Sequence, residues 1–176
     1  MSNIYRVVLT GFMGTGKSTV GRALATQLGW DHVDTDTVIE HEHGPIPEIF
    51  ESQGEVAFRE IERKVAEQLA EREKLVVSTG GGLMLDRANV ASFRDGSVIV
   101  TLTASPETIL GRLLADHEDV GAQRPMLQSD DPAARIAELL AERAEVYGQF
   151  TSVSTDGRGP AELAAEIAEL VRAADR

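Results

Sequence analysis

The chain has 176 residues, 29 acidic against 17 basic side chains, and a formal charge of −12 at pH 7. That length suits one domain with a core of its own, and the acidic balance argues against duplex nucleic acid, which needs a basic partner face. The absence of cysteine excludes disulfides, thiolate metal sites and cysteine nucleophiles. No apolar run approaches the roughly 20 residues that span a bilayer. Met1-Ser2-Asn3-Ile4 lacks the charged and apolar stretches of a secretory signal. The sequence therefore predicts a cytoplasmic protein.

Tyr5-Arg6-Val7-Val8-Leu9 reads as a short buried strand over 5–9. Gly11-Phe12-Met13-Gly14-Thr15-Gly16-Lys17-Ser18 follows, fitting G-x-x-x-x-G-K-[ST]. Val20, Leu24 and Leu28 then recur on one helical face, and Gly29 stands where a helix would stop. Strand, glycine loop and helix start together predict a phosphate cradle. The glycines turn successive N–H groups inward and the helix N-terminus adds partial positive charge. In such a cradle Lys17 reaches the β- and γ-phosphates and the Ser18 hydroxyl holds Mg²⁺. A chance match in a glycine-rich turn is the bland alternative, and the flanking strand and helix argue against it.

A second strand over 30–34 ends in Asp34-Thr35-Asp36. Residues two apart share one side of a strand, so both carboxylates are expected to face the phosphate loop. One would orient the Mg²⁺ water shell and the other accept a proton from an attacking hydroxyl. An Asx turn and N-cap for the helix after 36 is the structural alternative. Residues 55–72 read as a long helix with Phe58, Ile61, Val65 and Leu69 on one side, and Arg59 is three residues from a partner in Glu62. An exposed ion pair would account for that arginine equally well.

The third strand, 74–79, runs into Thr79-Gly80-Gly81-Gly82. Consecutive glycines at a strand's end let backbone approach a ligand, or simply make a flexible turn. A fourth strand spans 97–103. Residues 116–125 are polar and aperiodic between two helices and contain Arg124-Pro125, which suggests a lid. Asp131-Pro132 caps a helix to about Tyr147. A fifth strand at 152–155 precedes a last helix opened by Gly159-Pro160, with Leu163, Ile167, Leu170 and Val171 buried. The acidic stretches 67–73 and 162–169 read as solvated helix faces. This alternation predicts one α/β three-layer domain on a parallel sheet of about five strands covered by helices on both faces.

The phosphate loop with Met13, the Asp-Thr-Asp strand end, Phe58-Arg59-x-x-Glu62, the triple glycine and Arg124-Pro125-Met126-Leu127 occur in this order. The ordered set, from about residue 5 to 171, resembles shikimate kinase, of the nucleoside-monophosphate-kinase-like P-loop fold. The resemblance implies a monomeric enzyme that uses Mg²⁺ and moves the γ-phosphoryl group of ATP to the 3-hydroxyl of shikimate in aromatic amino acid biosynthesis. By the same resemblance Gly14, Thr15, Gly16, Lys17, Ser18 and Thr19 hold the nucleotide, with Arg112 and Arg158 on its side. Ser18 and Asp34 serve the metal, Asp36 binds substrate hydroxyls as candidate base, and Arg124 reaches ATP from the lid. Arg59 and Arg143 grip the substrate carboxylate, and Gly80, Gly81 and Gly82 wall the pocket. Residues 1–176 would form one kinase domain, with a substrate-binding lobe at about 35–62 and a lid at about 115–130.

The chain departs from the family pattern at three places. Gly44–Phe50 is one residue shorter than the common form, the stretch between Arg112 and Arg124 is longer than in many relatives, and Gly148-Gln149-Phe150 replaces a commonly basic or alanine-containing run. Two other readings are a kinase for another hydroxy acid such as gluconate, and a nucleotide-binding regulatory module without turnover. Intact Asp34, Asp36 and Arg124 argue against the second.

Overall fold

A computed structural model describes residues 4–115 and 129–175. The expected lid, with Arg124, lies almost wholly outside the described residues. The strands are β1 (Arg6–Thr10), β2 (Asp31–Asp34), β3 (Leu75–Ser78), β4 (Ser97–Thr103) and β5 (Thr151–Ser154). The helices are α1 (Lys17–Leu28), α2 (Thr35–His43), α3 (Ile46–Ala70), α4 (Arg87–Arg94), α5 (Pro106–Ala115), α6 (Pro132–Tyr147) and α7 (Pro160–Ala174). A short 3₁₀ helix at Leu83–Leu85 precedes α4.

The strands form one parallel sheet in the order β2-β3-β1-β4-β5. β1 and β3 are buried on both sides, which is why they read as unbroken apolar runs rather than alternations. Val7 and Leu9 of β1 point to one face, where α1 and α7 supply Val20, Leu24, Leu163 and Ile167. Val8 points to the other, against Ile39, Phe58, Ile61, Val65 and Phe93 of α2, α3 and α4. A third apolar cluster joins Phe12 of the glycine loop to Ile109, Leu113, Ile136 and Tyr147 of α5 and α6.

β1 and β3 are neighbours, yet α1 leaves β1 toward one face and α4 leaves β3 toward the other. Their exit loops therefore diverge and open a crevice at the carboxyl edge of the sheet, the usual ligand position in such folds.

Each predicted strand is present, with bounds within a residue or so. The helix expected over 55–72 is present to Ala70; Gly54, at φ 81° and ψ 174°, leaves helical geometry and kinks α3 between a short first segment and this long one. Helices α2 and α4 fill stretches to which the sequence reading gave no helix of defined extent.

Helix α1 meets the sheet closely at Gly21. A Cβ there would lie 2.5 Å from Ser78 Oγ and 2.6 Å from His32 Nε2, atoms that hydrogen-bond each other at 2.9 Å. Gly111 of α5 is exposed and has open space around it. Alanine favours a helix over glycine by about 1 kcal/mol, so Gly111→Ala should stabilise by about that amount. Gly21→Ala should instead destabilise by about 1–3 kcal/mol, because overpacking exceeds the propensity gain. Urea denaturation of both variants checks the two signs, and a stabilised Gly21→Ala would contradict the packing described.

Candidate active site

The loop between β1 and α1 needs glycine where its backbone turns left-handed. Gly14 and Gly16 have φ of 74° and 97°, and at Gly11 (φ 133°) a Cβ would also strike the Leu102 carbonyl. Gly16 caps α1 with no side-chain acceptor for the first N–H groups. Those donors and the helix dipole form a seat for an anion. Thr15 is buried and donates its hydroxyl to Phe12 O at 2.7 Å.

Lys17 is buried beside this seat and donates from Nζ to Gly11 O and Phe12 O, each at 2.9 Å. Burial lowers its pKa to about 8; the charges of Asp36 and then Asp34 oppose that shift, and Arg143 adds to it. A lysine held this close to neutrality gains most from an incoming phosphate, which restores full charge.

Asp34 does two jobs at once. Its Oδ1 accepts from Asp36 N at 3.0 Å as the N-cap of α2, and its Oδ2 accepts from the Ser18 hydroxyl. The cap and the metal-site reading are thus compatible. A hydroxyl and a carboxylate oxygen held together are hard donors of the kind Mg²⁺ takes, along with water and substrate phosphates. The residues present therefore fit that ion.

Asp36 shares the cleft with Asp34 for a reason other than the expected one. The strand stops at Asp34, and Asp36 belongs to the first turn of α2, so strand alternation does not apply. Helix geometry turns its carboxyl toward Gly80, where any Cβ would collide with Oδ1. Burial raises its pKa to about 6, the charges of Asp34 and Glu62 add to the shift, and Lys17 opposes it.

Arg59 donates to Glu62 at 2.6 Å and to Glu55 at 3.2 Å, and lies 5.4 Å over the Phe58 ring. Glu62 is only 2% exposed, so the pair is a buried anchor for the guanidinium rather than a surface ion pair. Arg143 stands 5.2 Å over the Phe12 ring, with weak contacts at 3.4 Å to Gly81 O and 3.5 Å to the Tyr147 hydroxyl. Among the described residues no carboxylate pairs with it. Tyr147 donates to Gly81 O at 2.7 Å and fixes the glycine wall from α6.

A cleft of about 670 Å³ is lined by Gly14, Gly16, Lys17, Ser18, Thr19, Asp34, Asp36, Gly81 and Arg112, together with Met13, Thr79 and Leu113. Gly80, Gly82, Arg59 and Arg143 stand around its glycine wall. Arg112 holds Gly14 O at 3.1 Å and Thr155 O at 3.0 Å. Arg158 is not brought to the cleft lining: it binds Glu162 at 2.7 Å and Glu166 at 2.6 Å along α7. Tyr147, Thr79 and Phe12 were not singled out from the sequence. Only the four-residue spacing of Arg143 and Tyr147 hinted at a joint role.

The shikimate kinase family model matches residues 13–172. The chain belongs to the shikimate kinase family. It is accordingly an ATP-dependent kinase, a phosphotransferase. It is 42% identical over 170 residues to a shikimate kinase of Moorella thermoacetica, covering 95% of this chain and 94% of that one. A shikimate kinase of Gloeobacter violaceus is 45% identical over 170 residues, covering 92% and 93%. The solved shikimate kinase of Acinetobacter baumannii in complex with shikimate superposes with a TM-score of 0.86 at 34% identity, covering 98% of this chain and 96% of that one. Kinases of this family thus share both sequence and fold with the chain over nearly its full length.

The buried charges set a pH dependence. Asp36 is raised above its unfolded value of 3.8, so the folded state holds the extra proton and loses stability as pH rises from about 4 to 6. Lys17 is lowered below 10.5, so its cost is present below about pH 8 and is relieved as pH rises toward 10.5. Asp36→Asn keeps the neutral shape at every pH. It should melt higher than the parent at pH 7, and the gap should close as pH falls toward 4. Thermal melts at the two pH values test this, and an equal or lower melting point at pH 7 would contradict the burial described.

Proposed function

We propose that the chain transfers the γ-phosphoryl group of ATP to the 3-hydroxyl of shikimate, giving shikimate 3-phosphate and ADP. The observation that carries this reading is the glycine wall. Gly80 faces the Asp36 carboxyl, Gly81 faces Arg143 and Gly82 faces Arg59, so a base candidate and two guanidinium groups converge on one bare stretch of backbone. A rigid hydroxylated carboxylate suits that set. Planar, permanently charged guanidiniums bind its carboxylate, and Asp36 accepts from its hydroxyls.

In this reading Gly14–Thr19 and Arg112 hold the nucleotide phosphates, and Arg124 closes over ATP from the lid. Lys17 neutralises charge on the migrating group. The acceptor hydroxyl forms the new P–O bond, the bond to the β–γ bridging oxygen breaks, ADP leaves with that electron pair, and Asp36 takes the hydroxyl proton. Ser18 and Asp34 hold Mg²⁺, which when bound offsets phosphate charge. Arg59 is already neutralised by Glu62 and Glu55, so Arg143 supplies the unpaired positive charge for the substrate. Arg158, occupied by two glutamates, has the weaker claim to a nucleotide role. We further infer a cytoplasmic monomer with one kinase domain, its acceptor lobe at about 35–62. The cysteine-free composition fits a reducing compartment.

ATP consumption with shikimate, with gluconate and with no acceptor tests the assignment. Shikimate alone should drive rapid turnover. A preference for gluconate would replace the acceptor, and ATP binding without turnover on any of them would favour a regulatory module.

Single variants test the roles. Lys17→Ala should lower turnover by at least ~10²-fold with the fold retained. Asp36→Asn should lower it by about 10²–10⁴-fold with a smaller loss of acceptor affinity. Normal turnover of Asp36→Asn at saturating acceptor would reduce Asp36 to a positioning residue.

Arg59→Ala and Arg143→Ala should each weaken acceptor binding by roughly 2–5 kcal/mol and leave ATP affinity nearly unchanged. Only Arg59→Ala should also lower the melting temperature, because it leaves Glu62 buried without its partner. Arg124→Ala should lower turnover with acceptor affinity intact. Equal losses of acceptor affinity in all three variants would contradict this division of roles.

A further inference from the structure

Ser78, the last residue of β3, is wholly buried and does not line the nucleotide cleft. Its Oγ donates to Lys17 O at 2.9 Å and stands 2.9 Å from His32 Nε2. A serine hydroxyl has one proton, and a carbonyl can only accept. Both contacts are therefore made at once only when His32 donates from Nε2. That donation fixes the rotation of the hydroxyl toward Lys17 O.

Two further observations tie this pair to the start of α1. Asp34 and Ser78 are register partners at the ends of β2 and β3, so their side chains share one face of the sheet. On that face Asp34 accepts from the Ser18 hydroxyl and Ser78 donates to Lys17 O. Two neighbouring strand ends thus hold two successive residues of the first helical turn. Helix α1 also carries glycine where a side chain would block the contact, since a Cβ at Gly21 would lie 2.5 Å from Ser78 Oγ.

The ammonium of Lys17 bonds only to Gly11 O and Phe12 O, carbonyls of the loop it belongs to. Those contacts move with the loop and do not anchor the residue to the sheet. The Ser78 contact spans 61 residues and does. From this arrangement we infer that Ser78, oriented by His32, is a positioning residue for phosphoryl transfer. It sets the main chain of Lys17 so that the ammonium meets the nucleotide phosphates in register with Ser18. The inference rests on the reading of Lys17 as the phosphate-binding lysine and not on the identity of the acceptor.

Titration calorimetry on the full chain tests this with the non-hydrolysable ATP analogue AMP-PNP and Mg²⁺, at a temperature where every variant is folded. Ser78→Ala should weaken the analogue by about tenfold and lower kcat by about as much, since small displacements at a reacting centre cost rate steeply. Shikimate affinity, measured in the same way, should stay unchanged, a split that general loosening of the fold would not produce. His32→Leu should weaken the analogue by about threefold, because the hydroxyl is then free to rotate. His32→Gln, whose amide donates from nearly the place of Nε2, should restore parent affinity. Thr26→Ala removes a hydroxyl bonded to Arg22 O farther along α1 and should have no effect. Nitrogen-15 NMR at pH 8 should find the ring proton of His32 on Nε2. Loss of analogue binding in Lys17→Ala but not in Ser78→Ala would overturn this inference alone. Loss in neither would overturn the phosphate-loop reading and this inference with it. Equal losses for analogue and shikimate in Ser78→Ala, no rescue by His32→Gln, or a bare Nε2 would each overturn it as well.

Discussion

The site depends on a stretch of backbone that carries no side chains. Immediately after β3, Gly80, Gly81 and Gly82 let α2, α3 and α6 bring Asp36, Arg59 and Arg143 against the carboxyl edge of the sheet. A Cβ at Gly82 would lie 2.8 Å from Arg59 Nη1, and one at Gly80 would run into Asp36. The constraint is steric rather than conformational, since none of the three adopts a positive φ. Thr35 supports the same stretch by accepting from Gly80 N at 2.8 Å, and Tyr147 fixes the Gly81 carbonyl.

Around that wall, buried charges are arranged at a cost to fold stability. Lys17 and Asp36 are both displaced toward their neutral forms by burial, one down to about 8 and the other up to about 6. Near neutral pH both nonetheless carry charge. An acidic chain can receive polyanions here because Lys17, Arg112 and Arg143 stand around one cleft, whatever the net charge elsewhere. Ligands that restore those charges recover the lost stability, a trade of fold stability for function common at active sites.

Much of this was legible in the sequence. The inner strands β1, β3 and β4 announced themselves as apolar runs, because strands covered on both faces leave little alternation to misread, whereas the edge strands β2 and β5 are polar. The phosphate loop was legible because its glycines, lysine and serine are contiguous. The proposed acceptor end was harder, since its groups come from three helices and meet only in the folded chain. Asp36 was correctly grouped with Asp34, but through strand periodicity, whereas the operative geometry is the first turn of α2. Arg59 looked like a surface ion pair until the burial of Glu62 gave it a fixed position. Tyr147 carried no local signal beyond its spacing from Arg143. The long helix was legible from residue 55 because Gly54, non-helical at φ 81° and ψ 174°, breaks α3 just before it.

The acceptor KM of Gly82→Ala, measured beside its ATP KM, bears most directly on the claim that the bare backbone sets the acceptor site. The new methyl group lies far from the phosphate loop in sequence and meets the Arg59 guanidinium first. The account predicts an acceptor KM raised by about tenfold or more with the ATP KM nearly unchanged. An unchanged acceptor KM in a normally folded variant, or an equal rise in both constants, would contradict it.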